Sequence, residues 1–256
     1  MPAKSYTSSR REGVLSEKEK MKEVRTTLIE RIKRTESIES FRFKPEEKIS
    51  FLPGQFLQLI LDQQNKDSYL LNKYLSFSSA PNKDYIEVTK RITGSDFCNL
   101  LQEINIGNQV LIEAPMGDCS FKDSYAKIGF LIGGIGITPV ISILEYIVER
   151  DLDTDVCLLY SNRSKDDIAF GHEIDIWSKG NLRIKVFHTI TDQEPKDQRY
   201  DFGRIDKQFL MKNIPDFKER IFFIFGPPKM VSAMENICNE AGCNKEMIKA
   251  ENFVGY

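Results

Sequence analysis

The sequence predicts a two-part fold: an antiparallel β-barrel over residues 23–122, then an α/β unit with a parallel sheet over 123–256, preceded by a leader at 1–22. Three observations carry this. Short alternating apolar runs separated by Pro, Gly, Asn and Asp fill the first part. Strand-length apolar runs alternate with helix-length segments in the second. The change of pattern falls in a polar stretch at 122–125, and 256 residues suffice for two units of about 100–150 residues each.

In chain order, residues 1–22 are rich in Ser, Lys, Glu and Arg with almost no apolar periodicity, which reads as a flexible leader. Strands are expected at Thr26-Leu28-Glu30-Ile32, at Ile38-Phe41-Phe43, over 56–61 and over 85–89. Residues 73–81 read as a Ser-rich strand edge, whereas Gly54-Gln55-Phe56 and Pro115-Met116-Gly117 read as turns. Thr93-Gly94-Ser95-Asp96 is a turn with an N-cap that opens a short helix, a seat for an anion. In the second part, strands at 128–132, 156–160, 182–190 and 221–225 alternate with helices at 138–149, 165–177 and 228–240. Such βα alternation gives a parallel sheet, because crossovers between neighbouring strands are long and right-handed.

Composition removes several function classes. Thirty-six Lys and Arg oppose thirty-eight Asp and Glu, and the signs are mixed along the chain, so nothing marks a nucleic-acid binder. The longest apolar stretch, around 128–148, is interrupted by Gly133, Gly134, Gly136, Pro139 and Glu145, which argues against a membrane span. With no apolar secretory segment at the start, a cytoplasmic protein is expected. Five cysteines at Cys98, Cys119, Cys157, Cys238 and Cys243 lack a framework spacing and read as reduced thiols. With only His172 and His188 beside them, no metal site is expected; Cys238 and Cys243 have the first spacing of an iron–sulfur motif but no third cysteine follows.

Three segments carry chemistry. Gly133-Gly134-Ile135-Gly136-Ile137-Thr138-Pro139 follows an apolar strand and opens a helix, so bare backbone and free N–H groups can meet a pyrophosphate. It is neither a G-x-G-x-x-G fingerprint nor a P-loop. Phe225-Gly226-Pro227-Pro228 makes a second strand-to-helix turn on the same sheet edge, where parallel sheets bind ligands. Lys73 with the hydroxyls of Ser76, Ser78 and Ser79 offers a cation and donors to a phosphate or a polar ring edge.

Taken in order, PGQF at 53–56, KYLSFSSAP at 73–81, TGSDFCNLL at 93–101, APMGDCSF at 114–121, GGIGITP at 133–139, LLYSNRS at 158–164, FGR at 202–204, FGPPKM at 225–230 and ENF at 251–253 give a chain that resembles the ferredoxin–NADP reductase family of flavoproteins over about 24–256. The resemblance implies an FAD-holding barrel, an NAD(P)H-holding α/β unit, and hydride transfer between the two rings. It sets Lys73 where the family has the arginine that binds the flavin pyrophosphate, Leu75 where a tyrosine often covers the flavin, and Ser76 beside flavin N5. Tyr74 and, from the next strand, Thr89 and Lys90 join the flavin-side set, and Gly94, Ser95 and Cys98 form the helix start that receives the pyrophosphate. Gly134, Gly136 and Thr138 match the nucleotide loop, with Gly226 and Pro227 in the second turn; Phe225 replaces a cysteine that in many relatives lies against the nicotinamide. Glu251 matches an active-site carboxylate, and Phe253 or Tyr256 supplies the aromatic ring stacked on the flavin. Asn162 and Arg163, with no acidic residue at that strand end, favour NADPH slightly over NADH.

The resemblance implies electron transfer to a separate acceptor, such as ferredoxin, flavodoxin or a partner subunit. The departures at Lys73, Leu75 and Phe225 leave a second reading open, an electron-transfer subunit that holds flavin with an impaired nicotinamide site. A third is a reductase of small diffusing acceptors.

Overall fold

A computed structural model describes residues 21–253. The first unit contains strands β1 (Lys22–Lys33), β2 (Ile38–Pro45), β3 (Phe56–Ile60), β4 (Asn72–Ser76), β5 (Ile86–Arg91) and β6 (Gln109–Met116), with helix α1 (Asp96–Glu103) between the last two. They form a six-stranded antiparallel sheet in the order β4-β3-β6-β1-β2-β5, curled so that a bridge from Phe77 to Val88 nearly closes a barrel. Alternation along each strand turns Leu28, Phe41, Phe43, Leu57, Leu59, Val88 and Ile112 into the core. At Ile29 the register of β1 against β2 slips by one residue, leaving that side chain 41% exposed.

The second unit contains β7 (Lys127–Gly133), α2 (Thr138–Glu149), β8 (Asp155–Asn162), α3 (Gly171–Gly180), β9 (Ile184–Ile190), β10 (Tyr200–Phe202), α4 (Lys207–Asn213), β11 (Ile221–Gly226), α5 (Pro228–Ala241) and β12 (Ile248–Asn252). Its six strands are all parallel, in the order β10-β9-β8-β7-β11-β12. Both faces are covered: Phe130, Ile132 and Tyr160 pack under α2 and α3, and Leu131, Cys157 and Leu159 pack toward α4 and α5. That is why β7 and β8 read as continuous apolar runs rather than alternating ones. All five cysteines are buried and free.

Several elements depart from the sequence reading. Residues 115–116, expected in a turn, belong to β6, whose pairing with β1 and β3 on either side absorbs the polar Gln109 and Glu113. The helix expected over 165–177 is two pieces, because Ala169 and Phe170 are drawn into the core and Phe170 turns left-handed at φ 59° before α3 begins. Strands β10 and β12 and helix α4 carry no strong periodicity of their own and exist through their neighbours. Among the described residues no helix is long and apolar enough to cross a membrane.

The two units meet along α2 and the loop before α3. Ser142 Oγ donates to the Ser79 carbonyl at 2.8 Å, the Glu145 carboxylate accepts the Ala80 N–H at 2.7 Å, and Arg91 pairs with Asp167 at 3.5 Å. This seam sets the rim of the barrel against the carboxyl edge of the parallel sheet.

Candidate functional site

Where rim and edge meet lies a cavity of about 540 Å³, in the size range of cofactor and ligand sites. From the barrel, β4 contributes Lys73, Tyr74, Leu75 and Ser76, and β5 contributes Thr89 and Lys90. From the α/β unit come Ile135, Thr138, Glu251, Asn252 and Phe253. Antiparallel neighbours fix the first set: Ser76 stands opposite Phe56 and Leu75 opposite Leu57. Ser76 and Thr89 are both buried, and the Thr89 hydroxyl is tied to Ser40 at 2.7 Å and Ser78 at 2.8 Å.

The barrel wall is cationic. Burial lowers the Lys90 ammonium from its ordinary range, and the nearby charges of Lys73 and Arg91 lower it further. The charge of a bound anion offsets both effects by favouring the protonated ammonium, which makes these lysines a fitting seat for a pyrophosphate. Close to Lys90 is the start of α1, where the N-cap Ser95 accepts the Cys98 N–H and a Cβ added to Gly94 would meet open space. Burial pushes the Cys98 thiol up, but its hydrogen bonds with Ser95 and Thr93 outweigh that, and the thiol sits below its usual range.

On the other wall the loop after β7 is shaped by backbone. Gly134 is left-handed at φ 52°, and its carbonyl accepts the Tyr160 hydroxyl at 3.1 Å. Gly136 serves a different end from the open anion approach expected of it. A Cβ there would stand 2.3 Å from the Phe225 carbonyl oxygen, so its bareness lets the two strand-to-helix turns touch. Thr138, buried, holds the turn by donating to the Ile135 carbonyl at 3.2 Å.

Not every candidate reaches the cavity. The Phe225 ring lies in the core, stacked on Phe223 with centroids 6.0 Å apart, and only its backbone faces the loops. Gly226 accepts the Phe253 N–H at 2.8 Å, fixing the tail beside the second turn, whereas Pro227 is exposed. Asn162 is buried at the end of β8 with neither amide atom in normal hydrogen-bond geometry with a partner. Arg163 points to solvent and pairs with Asp192 at 3.0 Å. Tyr256 lies outside the described residues, as does most of the leader.

Glu251 is set by parallel pairing of β12 with Phe225 on β11. One of its carboxylate oxygens would be 3.1 Å from a Cβ on Gly117, so the glycine leaves it room. Burial, with repulsion from Asp118, pushes its carboxyl up to about 7. Cys119 beside it is pushed up to about 12 by burial and then by the Glu251 charge. The sequence reading gave no site role to Phe56, Tyr69, Asn72, Met116, Ile135 and Asn252, which also line the cavity. Phe56 opens the strand expected over 56–61 and Met116 fell in a segment read as a turn; their pairing across β3 and β6 is what brings them together.

Two family models match: the oxidoreductase FAD-binding domain over residues 25–121 and the oxidoreductase NAD-binding domain over residues 130–236. The chain belongs to the ferredoxin–NADP reductase-like family of FAD- and NAD(P)-binding oxidoreductases. Members it resembles include a flavohemoprotein from Oceanobacillus iheyensis, 27% identical over 88% of this chain and 58% of that protein. A glycine betaine monooxygenase reductase subunit from Chromohalobacter salexigens is 26% identical over 87% of this chain and 62% of its own length. The chain thus spans about three-fifths of the length of these relatives. Among solved structures, a ferredoxin NADP⁺ reductase from Neisseria gonorrhoeae with bound FAD and NADP superposes with a TM-score of 0.75 at 20% identity, covering 92% of this chain and 99% of that one. At that identity the likeness speaks for the fold.

The residues present fit the family's cofactors. Two lysines on the barrel wall, with the start of α1 close to Lys90, suit a pyrophosphate, and the buried hydroxyls of Ser76 and Thr89 suit a flavin edge.

Proposed function

We propose that this chain is an FAD-dependent NAD(P)H reductase that passes electrons to a separate redox protein, with ferredoxin, flavodoxin or an oxygenase component as the candidate acceptors. The observation that carries the proposal is the shared cavity: a cationic, hydroxyl-bearing barrel wall faces a glycine loop and a buried carboxyl across one seam. FAD, when bound, supplies hydride acceptance from nicotinamide followed by electron release.

The chain's own residues then do four things. Lys73, Lys90 and the start of α1 neutralise the pyrophosphate; Lys73 provides charge without the bidentate fork of an arginine. Ser76, inside the rim, orients a ring edge through its hydroxyl, and Leu75 excludes water from the same wall. The Glu251 carboxyl, protonated below about pH 7, can hold or release a proton at the cavity near neutrality. Phe253, anchored through its N–H, is the aromatic cover.

The finer readings rest on single features. The division into flavin and nucleotide units is proposed at residues 122/123, within the segment between β6 and β7 where one sheet ends and the other begins. NADPH is favoured slightly because Arg163 can exchange Asp192 for a 2′-phosphate. Asp192, paired with Arg163, is also a carboxylate of the kind that takes a ribose hydroxyl, so NADH is the competing outcome. The withdrawal of Phe225 into the core favours the second reading, a flavin subunit without nicotinamide turnover.

An anaerobic titration of the FAD-loaded protein with NADPH and then NADH, followed by flavin absorbance, decides among these. Bleaching by either nucleotide is expected. Bound FAD that neither nucleotide bleaches overturns the reductase reading in favour of the subunit.

A further inference from the structure

We propose that Arg34 is an interdomain positioning residue, which clasps the start of α3 to the barrel and so fixes how the nucleotide loop faces the flavin-side wall. The consequence for hydride transfer rests on the reductase reading; the clasp itself does not.

Arg34 lies in the turn between β1 and β2 with only 9% of its side chain exposed. Its Nε donates to Ser40 Oγ at 2.8 Å, and its Nη2 donates to the two oxygens of Glu87 at 3.1 and 3.2 Å. Those bonds stay within the barrel. The remaining arm, Nη1, leaves it and donates to Glu173 on α3, while the guanidinium plane sits over the Phe170 ring at 4.3 Å. One side chain therefore has two partners in each unit.

Both partners across the seam are placed deliberately by the chain. Phe170 is left-handed, a conformation that bulky residues avoid, and it occupies the N-cap position of α3 with its ring buried. That bend breaks the helix expected over 165–177 and turns Phe170 and Glu173 toward the same guanidinium. On the barrel side, Ser40 passes the contact on: its hydroxyl bonds to Thr89, which lines the cavity. Arg34 is thus two hydrogen bonds from the flavin-side wall.

A second point of attachment is already present where α2 grips Ser79 and Ala80. One point permits the units to pivot about it; a second on a different helix fixes the angle. The Arg91–Asp167 pair supports the same edge more loosely, at 3.5 Å and partly exposed.

The test uses full-length FAD-loaded protein and the variants Glu173→Ala and Glu173→Gln, which remove the partner from a helix surface and leave the buried Arg34–Glu87 pair intact. Amide hydrogen exchange is expected to quicken in Glu173→Ala at 33–38 and 163–173, with the strands of both sheets unchanged. The limiting rate of flavin bleaching is expected to fall at least about tenfold, with FAD content and nucleotide dissociation constant preserved and Glu173→Gln intermediate. Unchanged exchange in both segments overturns the clasp. Faster exchange with an unchanged limiting rate overturns its positioning role. Should wild-type flavin not respond to either nucleotide, the reductase reading fails while the exchange comparison still decides the clasp.

Discussion

The barrel wall of the cavity and the glycine loop opposite it are built by different means. The barrel wall works through side chains: Lys73, Lys90, Ser76 and Thr89 stand on strands whose register the core fixes, and each can be exchanged without moving the backbone. The glycine loop opposite depends on backbone, with Gly136 so close to the Phe225 carbonyl that no side chain fits, although the α/β side of the cavity itself is lined by Ile135, Thr138, Glu251, Asn252 and Phe253. A wall of side chains tolerates substitution. A glycine packed against backbone, such as Gly136, tolerates almost none.

That contrast orders the expected effects. Gly136→Ala drives a Cβ into the Phe225 carbonyl and separates the two turns, costing about 2–4 kcal/mol of stability along with nucleotide binding. Thermal melts and nucleotide titration read it; a folded protein with normal nucleotide affinity would break the comparison. Lys90→Met leaves the fold intact and removes about 1.5–3 kcal/mol of FAD affinity, roughly ten- to a hundredfold in Kd. Flavin retention during dialysis checks this, and full retention would show that the anion is held elsewhere.

Ser76→Ala is expected to slow flavin bleaching by about tenfold, one hydrogen bond's worth, with FAD still bound. Stopped-flow absorbance measures it, and an unchanged rate removes Ser76 from the chemistry. Glu251→Gln sharpens the comparison through pH. Because burial raises the folded-state pKa to about 7, Glu251 favours the fold at low pH and that contribution is lost as pH rises from the ordinary carboxylate range through about 7. The glutamine variant should lose that segment of the stability profile and any activity inflection near pH 7, read by melts and rates from pH 4 to 9. The smallest effect belongs to Arg163→Ala, since Arg163 is exposed. A severalfold rise in KM confined to NADPH is expected, and an equal rise for NADH sinks the 2′-phosphate role.

Legibility in the sequence follows the same division. The glycine loop and the helix after it could be read directly, since α2 occupies the expected span 138–149 and its start is punctuated by Pro139. The barrel strands with clear alternation, β1, β2 and β3, were equally readable. By contrast β12, half exposed along its length, has no pattern of its own and is a strand because β11 offers it a parallel edge. The break before α3 was hidden because a left-handed Phe170 is favoured only once its ring has a core and a guanidinium to meet.

By itself the sequence determined the two architectures and the two strand-to-helix turns, because periodicity, glycines and N-caps are local properties; the residues proposed for the flavin side came from the ordered motifs of the resemblance. Tertiary structure alone decided that Glu251 sits beside Gly117, that Gly136 meets Phe225 and that Arg34 reaches Glu173. Those juxtapositions join residues far apart in the chain, and only strand register and packing against a shared core bring them within contact.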